Sequence, residues 1–198
     1  MAVLQPEIKR GVEILRRGGV IAFPTDTVYG VGADAFNPEA AERIYEIKSR
    51  PRHLPLPLLA ADLEMLATLT GPIPEVARIL ARRFWPGGLT LILPKADSLP
   101  AHLGTTPGIA VRIPNHPVCL VLMQCLGGPI VGTSANISGR PPALTAREVE
   151  RQLAGKVDYI IDGGKCPGGK ESTVADVTLD PPVVLREGLI PSFEVEQA

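Results

Sequence analysis

The sequence predicts a single α/β domain with an open, twisted mixed sheet, flanking helices and a concave ligand cavity. Helical and strand patterns alternate along most of the chain, and three strand patterns then follow one another between residues 157 and 188. Alternation favours parallel strands, whereas consecutive strands favour antiparallel pairs, so the sheet should contain both. The 198 residues, 45% of them hydrophobic, suit one domain. We assign residues 1–190 to this domain and residues 191–198 to a C-terminal tail.

The first 48 residues predict an amphipathic helix, a buried strand and a capped helix, in this order. The spacing of Ile8, Val12 and Leu15 places three apolar side chains on one face of the first helix. The strand is the apolar run at residues 19–25. Asn37 suits the N-cap of the next helix because its side chain can accept a hydrogen bond from the first turn.

The remaining elements follow from apolar periodicity and from signals at their ends. Asp62 and Asn115 are expected to cap helices, and Thr145 with Glu148 forms a capping box. The predicted helices cover residues 62–69, 74–84, 116–128 and 145–153, and the predicted strands cover residues 55–60, 88–95, 108–114, 129–134, 157–164, 172–178 and 182–188.

The charge of the chain is nearly balanced, with 20 Lys and Arg residues, 21 Asp and Glu residues and a net charge of −1. Any contact with RNA would therefore require a local basic patch. The three cysteines have no metal-ligand spacing, and the N-terminus lacks the apolar core of a secretory signal. No run approaches the ~20 apolar residues of a membrane span. We expect a soluble cytoplasmic protein without membrane contact or a metal-ligand set.

Two short polar segments are the strongest indication of a ligand site. Lys48 and Arg50 end a helix directly before Pro51. Because proline disfavours helical geometry at the residue before it, the chain after Lys48 is expected to be extended, and the two cations should then point the same way. Ser134 and Asn136 follow an apolar strand and open a loop. Two cations, a hydroxyl and an amide at the ends of regular elements suit an anionic ligand such as a nucleotide phosphate.

Further polar residues lie at or near the ends of predicted strands. Thr27 follows the first strand, Arg112 lies within an apolar strand, Ser172 begins a late strand and Arg186 ends another. Ligand sites of open α/β sheets usually form where strands end. An arginine in an apolar strand must meet either a carboxylate side chain or an anionic ligand. The sequence leaves both alternatives open for Arg112, and the joint occurrence of these residues favours a site.

Two glycine-rich segments have the outline of nucleotide-binding motifs but not their context. Residues 30–35 spell G-x-G-x-x-A, but the polar run at residues 25–29 separates them from the preceding strand. Residues 164–170 match a phosphate loop except that Glu171 stands where a Ser or Thr should bind Mg²⁺. The second segment still qualifies as a loop lying over a phosphate.

At these residues the chain resembles the YrdC-like family, the threonylcarbamoyl-adenylate synthases of tRNA modification. The family's K-x-R and S-x-N signature stands at Lys48/Arg50 and Ser134/Asn136. Ordered motifs match nearly the whole chain: GGVIAFPTDTVYGVGADAFN, IKSRP, FWPGGLTLILP, GIAVRIPNHP, VGTSANISG, ESTVADVT and VLREG. The resemblance implies a YrdC/RibB-like fold in the short, single-domain form.

The resemblance also implies an activity, a nucleotidyltransferase reaction that joins L-threonine, bicarbonate and ATP into threonylcarbamoyl-AMP and releases pyrophosphate. It assigns catalysis to Lys48 and Arg50, and it implies Mg²⁺ on the nucleotide and downstream tRNA threonylcarbamoyl-transfer proteins as partners. The implied ATP ligands are Lys48, Arg50, Ser134, Asn136 and Arg186, and the implied threonine ligands are Thr27, Arg112 and Ser172. A carbamate oxygen is already anionic, so its attack on phosphorus needs no histidine base, and alignment with cationic stabilisation suffices.

Two positions depart from the usual family pattern. Leu54 stands where many members have a polar residue, so we expect that nucleotide contact to be lost or made by the backbone. Gly108 occupies a place that is often threonine. In addition, the segments VDYIIDGGKC and VVLREG are similar to a sister branch of the family.

Two other functions compete with the synthase reading. One is a non-catalytic RNA-binding or ribosome-associated protein that contacts tRNA or double-stranded RNA. Its candidate basic residues are Arg16, Arg17, Arg50, Arg52, Arg78, Arg82 and Arg83. The other is a carbamoyl-transfer domain of the hydrogenase-maturation type.

Overall fold

The computed structural model describes residues 4–104 and 106–198, which form a nine-stranded sheet with helices on both faces. The helices are α1 (Gln5–Arg16), α2 (Pro38–Lys48), α3 (Leu63–Ala67), α4 (Glu75–Phe84), α5 (Pro117–Leu126), α6 (Ala146–Leu153) and α7 (Ser192–Glu196). The strands are β1 (Ile21–Phe23), β2 (Gly30–Asp34), β3 (Leu58–Leu59), β4 (Leu89–Pro94), β5 (Gly108–Arg112), β6 (Ile130–Ser134), β7 (Tyr159–Ile160), β8 (Thr173–Asp176) and β9 (Val183–Arg186).

The sheet is mixed, as the sequence predicted. Its strand order is β7-β1-β2-β6-β3-β5-β4-β8-β9. The pairs β1–β7, β3–β5 and β4–β8 are parallel, and the other five pairs are antiparallel. The single α/β domain with an open mixed sheet and flanking helices is therefore confirmed.

The strand periodicity of two divides the apolar side chains between two cores. On one face, Ile21 and Phe23 of β1 pack with α1 and α5. On the other face, Val20 and Ala22 belong to the larger core, which receives apolar residues of α2, α4 and α6. Burying both faces in this way is the usual arrangement of an α/β sheet. Within the two described ranges, no helix combines the length and apolarity needed to cross a bilayer.

The predicted caps are confirmed except at α5. Asn37, Asp62 and Thr145 each accept a hydrogen bond from the first turn of their helix, and the capping box with Glu148 is complete. The prediction for Asn115 is wrong because His116 is the N-cap of α5. The Asn115 N–H is instead a donor to Asp26 Oδ1, at 3.0 Å.

Strand β2 and helix α7 were not predicted, nor was the short 3-10 helix at Ala101–Leu103. Strand β2 contains Gly30 and Gly32, which disfavour a strand in isolation. A Cβ on Gly32 would lie 2.6 Å from Ile130 Cγ2 and 3.2 Å from Phe23 Cε1, so the glycine makes room for these side chains. The segment predicted as a tail contains α7, and Val195 of this helix is buried in the larger core.

Candidate active site

A cavity of about 250 Å³ lies over one face of the sheet. The strand register explains its floor, because neighbours across the strands share a face: Gly30 pairs with Ser134, Ile92 with Ala110, Thr90 with Val174, and Val174 with Arg186. All of these residues line the cavity. The core beneath α1 and α5 occupies the same face and meets the cavity at Leu59. The predicted site at strand ends is therefore only one part of a cavity that extends along strand faces.

One end of the cavity is built around the guanidinium of Arg112, which is 6% exposed. Arg112 Nη2 donates to Asp26 Oδ1 at 2.6 Å, Nη1 to Thr27 Oγ1 at 2.9 Å, and Nε to Gly87 O at 2.8 Å. Burial lowers the pKa of Arg112, and the adjacent Asp26 carboxylate opposes this change. The carboxylate alternative left open by the sequence is thus present, and we call this group the Arg112 end.

The hydroxyl groups beside Arg112 have a defined direction of donation. Thr25 Oγ1 donates to Val28 O at 2.7 Å, so its only proton is used. Thr25 Oγ1 and Thr27 Oγ1 are 3.0 Å apart, and Thr27 must therefore be the donor of this pair. Thr27 Oγ1 also accepts from Arg112. What Thr27 can still offer to a ligand is an acceptor lone pair.

The other end of the cavity carries two arginines, and we call it the Arg50–Arg186 end. Arg50 donates from Nε to Leu54 O at 3.1 Å and from Nη2 to Pro55 O at 3.0 Å. Arg186 donates from Nη2 to Ser172 O at 2.8 Å. Burial lowers the pKa of Arg50 and the Arg186 cation lowers it further, which indicates that the two positive charges repel one another.

Ser172 contacts both Thr90 and Arg186 on the floor of the cavity. Its Oγ lies 2.8 Å from Thr90 Oγ1 and 3.4 Å from Arg186 Nη2. Ser172 and Thr90 are both buried yet line the cavity. The two hydroxyls are therefore held next to one another on the cavity floor, with Ser172 beside Arg186.

Lys48 and Asn136 lie next to the cavity but are not among the residues of its wall. Lys48 is 1% exposed, and its ammonium donates to the carbonyls of Ser134 and Asn136, the latter at 2.7 Å, and to Asn136 Oδ1 at 3.3 Å. Asn136 Nδ2 donates to the carbonyls of Ile137 and Arg140. These bonds fix the loop that carries Ser134, which does line the cavity.

The prediction that the chain is extended directly after Lys48 is wrong at Ser49. Ser49 is the C-cap of α2 and adopts the left-handed conformation, with φ of 51°. The chain therefore turns sharply at Ser49. As a result, Lys48 points into the protein beneath Ser134, whereas Arg50 lies in the cavity wall. The two cations of the K-x-R segment therefore lie in different environments, Lys48 in the protein interior and Arg50 in the cavity wall.

Both departures from the family pattern have a structural description. Leu54 contributes its backbone carbonyl to Arg50, and its side chain is 42% exposed. Gly108 pairs with Pro94, away from the cavity wall, and a Cβ there would lie 2.7 Å from Ile92 Cγ2.

The glycine-rich loop at residues 164–170 packs on the Thr27 segment, where Gly169 N donates to Thr27 O at 3.1 Å. This loop therefore packs against the segment that carries Thr27 and lies outside the cavity wall.

Two residues of the cavity were not identified from the sequence: Thr90 lies on the cavity floor, and Glu171 lines the Arg50–Arg186 end. Asp26 belongs to the polar run that the sequence places after the first strand, but its role as the counter-charge of Arg112 was not predicted. The alternation of Thr90 with Leu91 in a buried strand was the available signal for Thr90.

Across residues 4–104 and 106–198, no cluster of three or more His, Cys, Asp or Glu side chains is arranged to hold a metal ion.

Comparison with known protein families gives a match over most of the chain. The profile of the Sua5/YciO/YrdC family, which carries the description "Telomere recombination", matches residues 13–188. Threonylcarbamoyl-AMP synthases of Pyrococcus abyssi and Bacillus subtilis are 45% and 46% identical to this chain, and each alignment covers 96% of it. The chain spans only 56% of the length of either relative.

Solved structures of this family have the same fold. The structure of P. abyssi Sua5 complexed with L-threonine is 46% identical with a TM-score of 0.92, and the match covers 96% of this chain and 56% of that one. The structure of Escherichia coli YciO is 36% identical with a TM-score of 0.85, and the match covers 93% of this chain and 90% of that one.

Proposed function

This chain belongs to the Sua5/YciO/YrdC family, and on that premise we propose that it acts as an L-threonylcarbamoyladenylate synthase. The reaction joins L-threonine, bicarbonate and ATP into threonylcarbamoyl-AMP and pyrophosphate, a nucleotidyl transfer that supplies tRNA modification. The observation that carries the proposal is the charge division of the cavity. One end holds the neutral Arg112–Asp26 pair, and the Arg50–Arg186 end has two guanidiniums and one carboxylate.

The Arg112 end suits a zwitterionic amino acid. The Arg112–Asp26 pair is neutral overall, as is the amino acid. Three of the five N–H groups of Arg112 are used within the protein, so two remain for a carboxylate. The lone pair of Thr27 suits an ammonium or hydroxyl donor. We assign Thr27, Arg112 and Ser172 to threonine, the amino acid with which P. abyssi Sua5 forms its complex.

The Arg50–Arg186 end suits the phosphates of ATP. Cations aimed at the position where charge develops on phosphorus lower the barrier for transfer, and they act most strongly where water is displaced. We assign Arg50, Arg186 and Ser134 to direct contact with the nucleotide. Lys48 and Asn136 complete the predicted nucleotide set. Both fix the loop that carries Ser134, and Lys48 also places a positive charge next to Ser134.

The reaction has limited need of a protein base. After the ammonium of threonine has lost a proton to solvent, bicarbonate joins the amino group with release of water, and a carbamate oxygen then carries the negative charge that attacks the α-phosphate and displaces pyrophosphate. The role of the protein is then to align the two reactants and to stabilise the charge on the phosphates. Mg²⁺ bound to the ATP phosphates would add to that stabilisation. The described side chains offer no three-ligand cluster for it, which suits an ion carried in by the nucleotide.

The RNA-binding alternative has less support from the surface. Arg52 is paired with Glu42, and Arg78 lies 3.8 Å from Glu75. Arg16 donates to the carbonyl of Cys125. Several of the arginines that could have formed a basic patch are therefore neutralised or engaged within the protein.

The synthase proposal is tested by measuring pyrophosphate release from ATP while threonine or bicarbonate is omitted. We expect release only when both are present. Turnover that does not depend on threonine would instead indicate the carbamoyl-transfer function. An absence of turnover together with salt-sensitive RNA binding would indicate the RNA-binding function. Serine and valine, which each lack one group of the threonine side chain, serve as matched control substrates.

A further inference from the structure

Glu171 has a position that the proposed reaction does not explain. Among the described residues that line the cavity, it is the only one with a carboxylate side chain. Its Oε2 lies 3.5 Å from Arg186 Nη1, and the two side chains are 35% and 47% exposed. This ion pair is long and accessible to water, in contrast to the 2.6 Å pair of Arg112 with Asp26.

We propose that Glu171 is a displaceable counter-ion of the phosphate subsite. In the free protein its carboxylate offsets part of the charge of Arg50 and Arg186, and an arriving phosphate group displaces it. The inference rests on the proposed use of the Arg50–Arg186 end for phosphates. Glu171 would then set how tightly phosphates are held, and hence how readily pyrophosphate leaves.

The anchoring of the neighbouring groups makes the carboxylate the part that can move. The backbone at Glu171 is fixed, because its carbonyl accepts from Leu189 N at 2.8 Å and packs on Gly188, where a Cβ would lie only 2.3 Å from that oxygen. Arg186 is held by the carbonyl of Ser172, and Arg50 by two further carbonyls. The described contacts of the Glu171 carboxylate consist of the single long bond to Arg186.

The charge of Glu171 reaches the other cations of this end. It raises the pKa of Arg50, against the lowering caused by burial and by Arg186. It also raises the pKa of Lys48, against the lowering caused by burial and by Arg50. Removing the carboxylate would therefore leave three cations without their nearby negative charge, and an anion should bind there more tightly.

The test is calorimetric titration of inorganic pyrophosphate, without divalent metal, into the wild-type protein and the variant Glu171→Gln. We expect the dissociation constant to fall about three- to fivefold in the variant, the upper part of the range for loss of one partly screened charge. Glu187→Gln is the matched control, because this carboxylate is one residue from Arg186 in sequence but bonds to Ser192 and lies outside the cavity wall. Its pyrophosphate affinity should equal that of the wild type.

Equal or weaker pyrophosphate binding by Glu171→Gln would overturn the proposal, provided that thermal unfolding shows the variant to be folded. Glu171→Asp keeps the charge and should remain within about twofold of the wild type. The titration needs no turnover, so it is independent of the synthase assay. Tighter binding by Glu171→Gln in a protein that releases no pyrophosphate from ATP would refute the synthase function and retain the counter-ion.

Discussion

The two ends of the cavity hold arginines in opposite ways. Arg112 is almost fully buried and has a carboxylate at 2.6 Å, whereas Arg50 is held by two backbone carbonyls and Arg186 by a carbonyl and a long ion pair. A buried charge requires a partner supplied by the protein, because desolvation is costly. A charged side chain at the open cavity wall is solvated by water and therefore needs no carboxylate partner before a ligand binds. The first end is therefore neutral in the free protein, and the second keeps a net positive charge, which is the division that the proposed function uses.

The comparison also separates structural from functional dependence. At the Arg112 end, the bonds that would orient a ligand also satisfy buried groups of the protein. At the Arg50–Arg186 end, the cations donate to backbone carbonyls at the cavity wall and are not buried with a carboxylate, so we expect their removal to affect function more than stability. Variants at the two ends should therefore differ in stability even where they are alike in activity.

The largest effect on stability is expected for Asp26→Ala. This change leaves the Arg112 guanidinium buried without a counter-charge and removes the acceptor of the Asn115 N–H. Breaking such a pair from one side costs about 3–5 kcal/mol of unfolding free energy. Urea unfolding at pH 7 measures the loss.

An exposed ion pair is the control for Asp26→Ala. Glu42→Ala breaks the pair with Arg52, whose side chains are 44% and 67% exposed. We expect this variant to lose at most about 1 kcal/mol. Similar losses in the two variants would contradict the view that burial distinguishes the Arg112 end.

The next effect is expected in Arg50→Ala and Asn136→Ala, which should both reduce turnover at least about a hundredfold while keeping the fold. Their stabilities should differ. Arg50→Ala should unfold like the wild type, because the side chain only donates to carbonyls at the cavity wall. Asn136→Ala should lose about 1–3 kcal/mol, since the buried amide joins Lys48 to the loop carbonyls. Pyrophosphate release and urea unfolding measure the two quantities, and normal activity in either variant would refute the site assignment.

Local signals in the sequence predicted most of the fold. The caps at Asn37, Asp62 and Thr145 depend on atoms within one helical turn, so the residues themselves suffice. Strand β2 was missed because Gly30 and Gly32 are explained only by Phe23 and Ile130, which come from neighbouring strands. A glycine that makes room for a distant side chain cannot be distinguished from one that breaks a strand.

The sequence predicted which kinds of residues form the candidate site, but not how their side chains are arranged in space. The sequence predicted that Arg112 meets either a carboxylate or an anionic ligand, but it could not identify Asp26, which lies 86 residues away in sequence. The direction of Lys48 was mispredicted because Ser49 takes a left-handed conformation that is rare for serine. That turn separates Lys48 from Arg50, although the spacing of the two residues favoured a shared direction.

Lys48 combines features of both ends, and its effect is predicted in the pH dependence of stability. It is buried like Arg112, yet its described partners are carbonyl oxygens without a carboxylate. Burial, and then the Arg50 cation, lower the pKa of Lys48 to about 8 from its ordinary 10.5. The unfolded chain therefore binds more protons than the folded protein between these values, and stability should rise with pH across this window.

The change Lys48→Met isolates this contribution, because methionine fills similar space without a charge. Between pH 7 and pH 9.5 the wild type should gain about 2 kcal/mol of unfolding free energy relative to the variant, since the charged ammonium is destabilised fully below its folded pKa and progressively less above it. Lys156→Met, at an exposed lysine, should show no such difference from the wild type. A flat difference for Lys48→Met would mean that the carbonyl bonds of Ser134 and Asn136 offset the cost of burial. A buried cation beside the cavity would then need no carboxylate partner. The two ends of the cavity would differ only in how accessible their cations are to a ligand.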